Sequence, residues 1–253
     1  LIHIVGQGVV KEMAAFNDVK SVISDGFDVD VYLGAFMATP LKVELKNKVI
    51  YNMEYLHDRN PLFLFDYMET LKNNIVIDYS AENVKYLAKH GIEAFYMPYG
   101  YAKCLERRKE EKQDIDILFV GSTHHPRRLE VLDKLKRYFN VVVADGVYGN
   151  DLDHLIARAK VHLNMHHAEN QPLEVVRINY LMANGCNIVS EKGSDADLDS
   201  KYKDGLLFAE YAELIDACVY ALKNKIDGTK VIRNIPHDCF DANLWVKDKL
   251  CLQ

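Results

Sequence analysis

Between His166 and Glu191 the chain reads HHAENQPLEVVRINYLMANGCNIVSE, and this stretch concentrates side chains suited to a phosphorylated ligand. A guanidinium such as Arg177 neutralises phosphate oxygens in a forked geometry. A carboxylate such as Glu174 or Glu191 accepts from hydroxyls, and His166 or His167 can hydrogen-bond a phosphate oxygen or a hydroxyl. The stretch follows an apolar strand at 161–165. It continues into a helix at 173–183 and a second strand at 187–190, and ends on Ser190-Glu191. In a parallel sheet, ligands sit beyond the carboxyl ends of the strands, where helix starts attract anions.

A second constellation lies at Phe119-Val120-Gly121-Ser122-Thr123-His124-His125-Pro126-Arg127-Arg128. Gly121 at a strand end lets a ligand approach the backbone, and Ser122 and Thr123 supply hydroxyls and N–H groups. One of Arg127 and Arg128 is expected to reach an anion. The glycine spacing is not a dinucleotide fingerprint, and Gly6-Gln7-Gly8 also lacks the third glycine because Lys11 stands there. Glu174 and Arg177, three residues apart, would be worth only about 0.2–0.5 kcal/mol as a surface pair. Their place after a strand end, with apolar flanks and Ser190-Glu191 nearby, favours a nucleotide-diphosphate pocket.

Alternating strands and helices must position these groups. Strands are expected at 2–5, 29–33, 49–52, 75–78 and 94–97, with helical segments at 10–24, 41–45, 61–71 and 81–90. The last helix has Ser80 as N-cap and Gly91 past its end. The run from Tyr101 to Asp114 is dense in charge and reads as a solvated helix or linker. The pattern then restarts: strand 115–120, helix 126–138, strand 141–144, helix 151–159 and strand 161–165. After the 173–183 helix and 187–190 strand come strand 206–208 and helix 211–223. Continuous apolar strands between helices indicate α/β units with parallel sheets. The expectation is two Rossmann-like domains, 1–105 and 106–235, facing across a cleft, with 236–253 forming a terminal helix. Trp245, among Phe240, Leu244 and Leu250, is expected to pack that helix on the first domain.

The 253 residues suffice for two cores. A formal charge of -6 argues against a protein built mainly to hold nucleic acid. The apolar runs are too short to span a membrane, and no leader pattern opens the chain. Five scattered cysteines without a C-x-x-C pair fit reduced thiols and a cytoplasmic setting. The adjacent pairs His124-His125 and His166-His167 lack the spacing of a helical zinc site, so no metal is expected.

Leu173-Glu174-x-x-Arg177-Ile178-Asn179-Tyr180-Leu181, with Gly185 and Ser190-Glu191, resembles the donor-site segment of GT-B glycosyltransferases. The likeness is to a branch of bacteria and large viruses with an L-E-x-x-R-I-x-E-x-L pattern. In the first half, the strand end Ile50-Tyr51-Asn52-Met53-Glu54 resembles that branch, as do Asp78-Tyr79-Ser80-x-x-Asn83 and Met97-Pro98-Tyr99-Gly100-Tyr101. The resemblance implies a nucleotide-sugar donor held by the second domain and a glycan, glycoprotein or small-molecule acceptor held by the first, without a bound metal or other cofactor. Gly121, Ser122, Thr123, Arg127, Arg128, His166, His167, Glu174, Arg177, Asn179, Tyr180, Ser190 and Glu191 are then the donor-site residues. Tyr180 departs from the pattern, which has a ribose-holding carboxylate there: either another group, such as Glu174 or Glu191, holds the ribose, or donor affinity and choice differ. For the acceptor proton, Glu54 is the first choice of base, Asp78 the second and His57 the third. An Asp-Tyr-Ser run before a helix also reads as a capping turn. Two other readings stand beside transfer: a nucleotide-sugar epimerase or hydrolase, and a non-catalytic nucleotide- or glycan-binding module.

Overall fold

A computed structural model describes residues 1–5, 15–23, 26–58, 61–107, 109–235 and 239–250, without the side chains of 15–16 and 61–65. The Gly6-Gln7-Gly8 segment, residues 10–14 and 24 of the helix expected at 10–24, and Cys251 lie outside the described residues. The chain divides into two compact units, Leu1–Gly100 with Pro236–Gln253, and Tyr101–Ile235.

The first unit has a parallel sheet of β1 (Ile2–Ile4), β2 (Val31–Leu33), β3 (Val49–Asn52), β4 (Ile75–Asp78) and β5 (Ala94–Tyr96), in that spatial order. The helices α1 (Ala15–Ile23), α2 (Pro61–Lys72) and α3 (Ala81–Lys89) lie between strands along the chain. Ile50 and Val76 are register partners and share a core with Leu71, Leu87 and Ile92. Each such buried side chain contributes about 1.5–3 kcal/mol. Ser80 caps α3 by accepting from the Asn83 N–H at 3.3 Å, and Gly91 takes the left-handed φ of 72° that ends it. The short helical turn falls at Ala35–Met37 rather than at 41–45, because Gly34 reverses the chain with φ 67° directly after β2. A terminal helix, α10 (Phe240–Lys249), packs on β4 and β5, with Trp245 against Phe95 at 5.5 Å between ring centroids. Asn243 in the same helix accepts from the Asp28 N–H at 3.2 Å and donates to the Gly26 carbonyl.

The second unit runs β6 (Ile115–Val120), α4 (Pro126–Lys136), β7 (Val141–Ala144), α5 (Gly149–Arg158), β8 (Ala159–Asn164), α6 (Val175–Ala183), β9 (Ile188–Glu191), α7 (Ala196–Tyr202), β10 (Leu207–Ala209), α8 (Leu214–Ala221) and α9 (Thr229–Arg233). Its parallel sheet has the order β10-β9-β8-β6-β7. The chain steps from β6 to β7 on one side and then to β8 on the other, so the strand order reverses between β6 and β8. Crossovers diverge at such a point and leave a crevice at the strand ends. The first sheet, with its strands in sequence order, contains no reversal. Ile117, Phe119, Val161 and Leu163 pack with Leu132, Leu135, Leu214 and Cys218 to hold the central strands rigid.

Residues 101–105 belong to the second unit. Leu105 is fully buried and its carbonyl accepts from Asn184 at 2.8 Å. The charged run that follows is a strap rather than a helix or free linker. Arg107 reaches Asp153 at 3.4 Å, Glu111 pairs with His154 at 2.7 Å and Asp114 pairs with Arg158 at 2.8 Å, all on α5. Its charges satisfy those of one neighbouring helix, which composition alone does not reveal. Helices α7 and α9 have no counterpart in the sequence expectations; Asp195, whose carboxylate accepts from the Leu198 N–H at 2.9 Å, was the readable cap of α7.

Candidate functional site

The strand-order reversal puts the loop after β6 beside the loop after β8, and three arginines meet there. Gly121 has φ 140°, a conformation that L side chains rarely adopt. A Cβ at that position would lie 3.6 Å from the Arg128 guanidinium and 3.8 Å from that of Arg177. Arg128 is only 5% exposed and ties the two loops together. Its guanidinium donates to the carbonyls of Ser122 at 3.0 Å, Met165 at 2.7 Å and His166 at 3.2 Å. Burial first, and then the neighbouring Arg177 charge, pull its pKa down to about 10. Two like charges beside a glycine backbone are an unbalanced arrangement that an anion would relieve.

Arg177 is aimed from the first turn of α6 by Asn164, whose Oδ1 accepts from it at 2.7 Å. Asn164 is the last residue of β8 and fully buried. Its Nδ2 donates to Glu174 at 2.8 Å and to the Ser190 hydroxyl at 3.0 Å. Glu174 stands at the N-cap of α6 and faces His166 Nδ1 at 3.2 Å. Burial pushes the Glu174 carboxyl up, but His166, Arg177 and Asn164 outweigh it and hold the pKa at about 2. For His166, burial opposes protonation while Glu174 and Glu191 favour it, and the balance lies above the ordinary imidazole value. Its other nitrogen, Nε2, faces the Lys192 carbonyl at 3.0 Å, so the ring has an acceptor at each end.

Arg127 and Glu191 form a second, self-contained pair. The two side chains make a bidentate contact at 2.8 and 2.5 Å, and Glu191 also accepts from the His166 backbone N–H at 3.0 Å. The Arg127 guanidinium stacks on Tyr211 at 4.2 Å. Beside this pair lies a cavity of about 750 Å³ lined by His125, Arg127, Glu169, Glu191, Lys192 and Tyr211 among others. His167 has its ring edge-on to His125 at 5.2 Å, and burial followed by the charge of Arg128 lowers its pKa. The Ser122 hydroxyl accepts from the His124 N–H at 3.3 Å, a local turn that shapes the loop, and Thr123 lies half-buried next to it.

Several sequence expectations need correction. His166, 1% exposed and bonded at both ring nitrogens, is a brace rather than a ligand group. Glu191 already accepts three hydrogen bonds from Arg127 and His166, which leaves it poorly placed to hold ribose hydroxyls. Asn179 accepts from Tyr202 at 2.8 Å inside the core, and Tyr180 donates to Asp153 of α5 while stacking under Arg107 at 4.4 Å. Asn179, two residues on from Arg177, lies on another face of α6, and Tyr180, three residues on, lies about one turn further from the strand ends. Asn164 is a key residue that the sequence reading passed over. Its signal was an amide closing an otherwise apolar strand.

The first unit carries the base candidates. Asn52, the last residue of β3, is fully buried and donates to Asp78 at 2.7 Å while its Oδ1 accepts from Tyr67 at 2.6 Å. Asp78 also accepts from the Ser80 N–H at 2.8 Å and Asn83 at 3.1 Å. Burial raises its pKa to about 7 against these bonds. With both oxygens engaged and no exposure, Asp78 is a structural hub and not an acceptor base. The network instead fixes the Glu54 backbone: its carbonyl accepts from Asn52 at 2.9 Å and Asn83 at 2.7 Å, and its N–H donates to Asn52 at 3.0 Å. The Glu54 side chain is half-buried, and burial raises its pKa to about 7. His57 follows three residues later, tilted against the Tyr55 ring at 5.3 Å. Among the described residues no helix is long and apolar enough to cross a membrane, and no cluster of three or more His, Cys, Asp or Glu is placed to hold a metal.

No protein-family model matches the chain. Two uncharacterised proteins of Acanthamoeba polyphaga mimivirus are similar to it. Protein L140 is 30% identical over 204 residues, covering 77% of this chain and 66% of that protein. Protein L138 is 30% identical over 177 residues, 63% of this chain and 19% of its own length. The chain therefore spans about two thirds of the first relative and a fifth of the second. Among solved structures, sucrose-phosphate synthase from Thermosynechococcus elongatus superposes with a TM-score of 0.56 at 12% identity over 96% of this chain and 79% of that one. Staphylococcus aureus TarM, in complex with fondaparinux, α-GlcNAc-glycerol and UDP, gives 0.56 at 15% identity over 95% and 58%. AviGT4, a glycosyltransferase involved in avilamycin A biosynthesis, gives 0.53 at 12% identity over 93% and 87%. With two parallel five-stranded α/β units matching these neighbours, the chain has the fold of the GT-B glycosyltransferases.

Proposed function

We propose that this protein is a glycosyltransferase that moves a hexosyl or pentosyl group from a nucleotide-diphosphate sugar to a hydroxyl of a glycan, glycoprotein or small molecule. The observation that carries the reading is the convergence of Arg128 and Arg177 on Gly121 at the strand-order reversal of the second sheet. The diphosphate of the donor matches that charge, and the bare backbone of Gly121 admits its oxygens. As the acceptor oxygen bonds to the anomeric carbon, the bond from that carbon to the diphosphate breaks and its electron pair leaves with the phosphate. The two guanidiniums stabilise the developing charge, a role often worth about 3–4 kcal/mol per donor. Metal-independence is part of the proposal, since arginines supply this charge.

Glu174 and Asn164 set the aim of Arg177, and the His166 ring beside Glu174 helps hold its carboxyl low. Where the acceptor displaces the diphosphate directly, its proton needs a base. We assign Glu54, whose pKa of about 7 suits proton transfer near neutrality. The neighbours' names add support: TarM is described with UDP and a glycan, and AviGT4 as a glycosyltransferase.

The test is thermal-shift and calorimetric screening against UDP, GDP, dTDP and CDP and their sugars, followed by nucleotide-release assays with and without hydroxyl acceptors in EDTA. One nucleotide family should stabilise the protein, as expected for a ligand that binds only the folded chain. Release should depend on an acceptor and persist in EDTA. Absence of binding by every nucleotide would remove the reading. Release without any acceptor would replace transfer by hydrolysis.

A further inference from the structure

A second cavity, of about 440 Å³, lies at the other end of the second sheet, near the amino ends of β6 and β8. Its lining includes Arg107, Lys109, Lys160, Lys223 and Lys225, with Asp153 as the one lining carboxylate. In a chain of net charge -6 this is a concentrated positive patch. Part of it is balanced: Lys160 pairs with Asp116 at 2.7 Å and Arg107 with Asp153 at 3.4 Å. Lys109 instead contacts the Asn150 amide and His154 Nε2. Lys223 and Lys225 stand exposed just after α8, with no ion pair among the described residues.

The cavity also contains a polar group that the protein leaves unanswered. His162 of β8 is 3% exposed and lines the cavity. Its Nε2 donates to the Ile156 carbonyl at 3.1 Å, while Nδ1 has no partner. Burial lowers the ring pKa to about 4, so the imidazole is neutral and Nδ1 is a lone-pair acceptor. A buried acceptor without a donor costs about 1–3 kcal/mol. A ligand hydroxyl would recover that cost. Tyr180, Ile156 and Leu222 add apolar surface that can cover a ring face, between the amides of Gln113, Asn184 and Asn187.

We propose that this cavity is a second ligand site, for a hydroxylated organic anion of the size of a sugar phosphate, with the anion on the lysines and a hydroxyl donating to His162 Nδ1. It shares no assigned residue with the phosphate cluster at the opposite strand ends, and it does not rest on the glycosyltransferase reading.

Calorimetric titration with glucose 6-phosphate, inorganic phosphate and glucose tests it on three proteins: the unaltered chain, the doubly substituted Lys223→Glu/Lys225→Glu form, and Arg177→Ala. Glucose 6-phosphate should bind the unaltered chain more tightly than either fragment and move the His162 Nδ1 resonance in ¹⁵N spectra. The double substitution, on exposed lysines that do not support the fold, should weaken binding at least about tenfold. Arg177→Ala should leave it unchanged. Equal binding by the lysine variant, loss of binding in Arg177→Ala, an unmoved His162 resonance, or inorganic phosphate matching glucose 6-phosphate would each overturn the proposal.

Discussion

Both units end a central strand on a buried asparagine that grips a carboxylate, yet the two carboxylates are left in opposite states. Asn52 closes β3 and donates to Asp78, while Asn164 closes β8 and donates to Glu174. Among the described residues no cation pairs with Asp78, and burial raises its pKa to about 7. Around Glu174 stand Arg177 and His166, and the pKa falls to about 2. The amide device is the same; the neighbours decide whether the carboxyl is pushed up or held down. Only the version at the strand-order reversal stands among several arginines. The version in the first unit instead shapes a loop that presents Glu54.

The sharpest break of this comparison is Glu54→Gln, expected to lower turnover by about 10²–10⁴-fold while leaving nucleotide affinity intact. In the unaltered chain the rate should climb between pH 6 and pH 8 as Glu54 ionises. The same shift has a stability sign. The folded pKa of about 7 lies above the ordinary 4.5, so neutral Glu54 favours the fold at low pH and that contribution is lost as pH rises through 7. Melting temperatures should therefore show Glu54→Gln stabilised relative to the parent at pH 8 but not at pH 4. A turnover unaffected by the substitution would take the base assignment away from Glu54.

Removal of the Asp78 hub comes next. Asp78→Ala strands donors from Asn52, Asn83 and Ser80, and urea unfolding should register a loss of about 3 kcal/mol. A loss below about 1 kcal/mol would mean that the network is not structural. In the second unit, Arg177→Ala should weaken nucleotide-sugar binding by about 100-fold, equivalent to a charged hydrogen bond or two. Calorimetry that finds affinity unchanged would detach the phosphate from this cluster. The smallest effect is expected for Tyr180→Phe, less than about threefold on nucleotide affinity, because its hydroxyl serves Asp153. A large effect there would return Tyr180 to the donor site.

The strands were readable because each is a continuous apolar run, and the parallel α/β class follows from their alternation with helices. Glu174 and Arg177 were readable as a pair after a strand end. What the pair touches was not, because Asn164 reaches it from β8 and is itself held by Ser190 of β9, positions that are adjacent only in the folded sheet. The same limit explains His166 and Glu191. Each looked available in sequence, and each is engaged by a partner that only the sheet order supplies. Tyr180 shows a different limit. Three residues carry a helix nearly a full turn along its axis, so Tyr180 shares a face with Arg177 yet sits away from the strand ends, where Asp153 of α5 takes its hydroxyl.

The last helix of the first unit bears on the order of events during synthesis. Phe95 and Gly26 are made early, whereas Trp245 and Asn243, which cover and bind them, leave the ribosome only after the whole second unit. At about 5–20 residues per second, the delay between Phe95 and Trp245 is roughly 8–30 s. By the end of that interval the second unit has all of its strands and can close on its own, while the first still waits with an uncovered aromatic edge. A released chain ending at residue 235 should therefore protect the second unit from protease and leave the first open to cleavage.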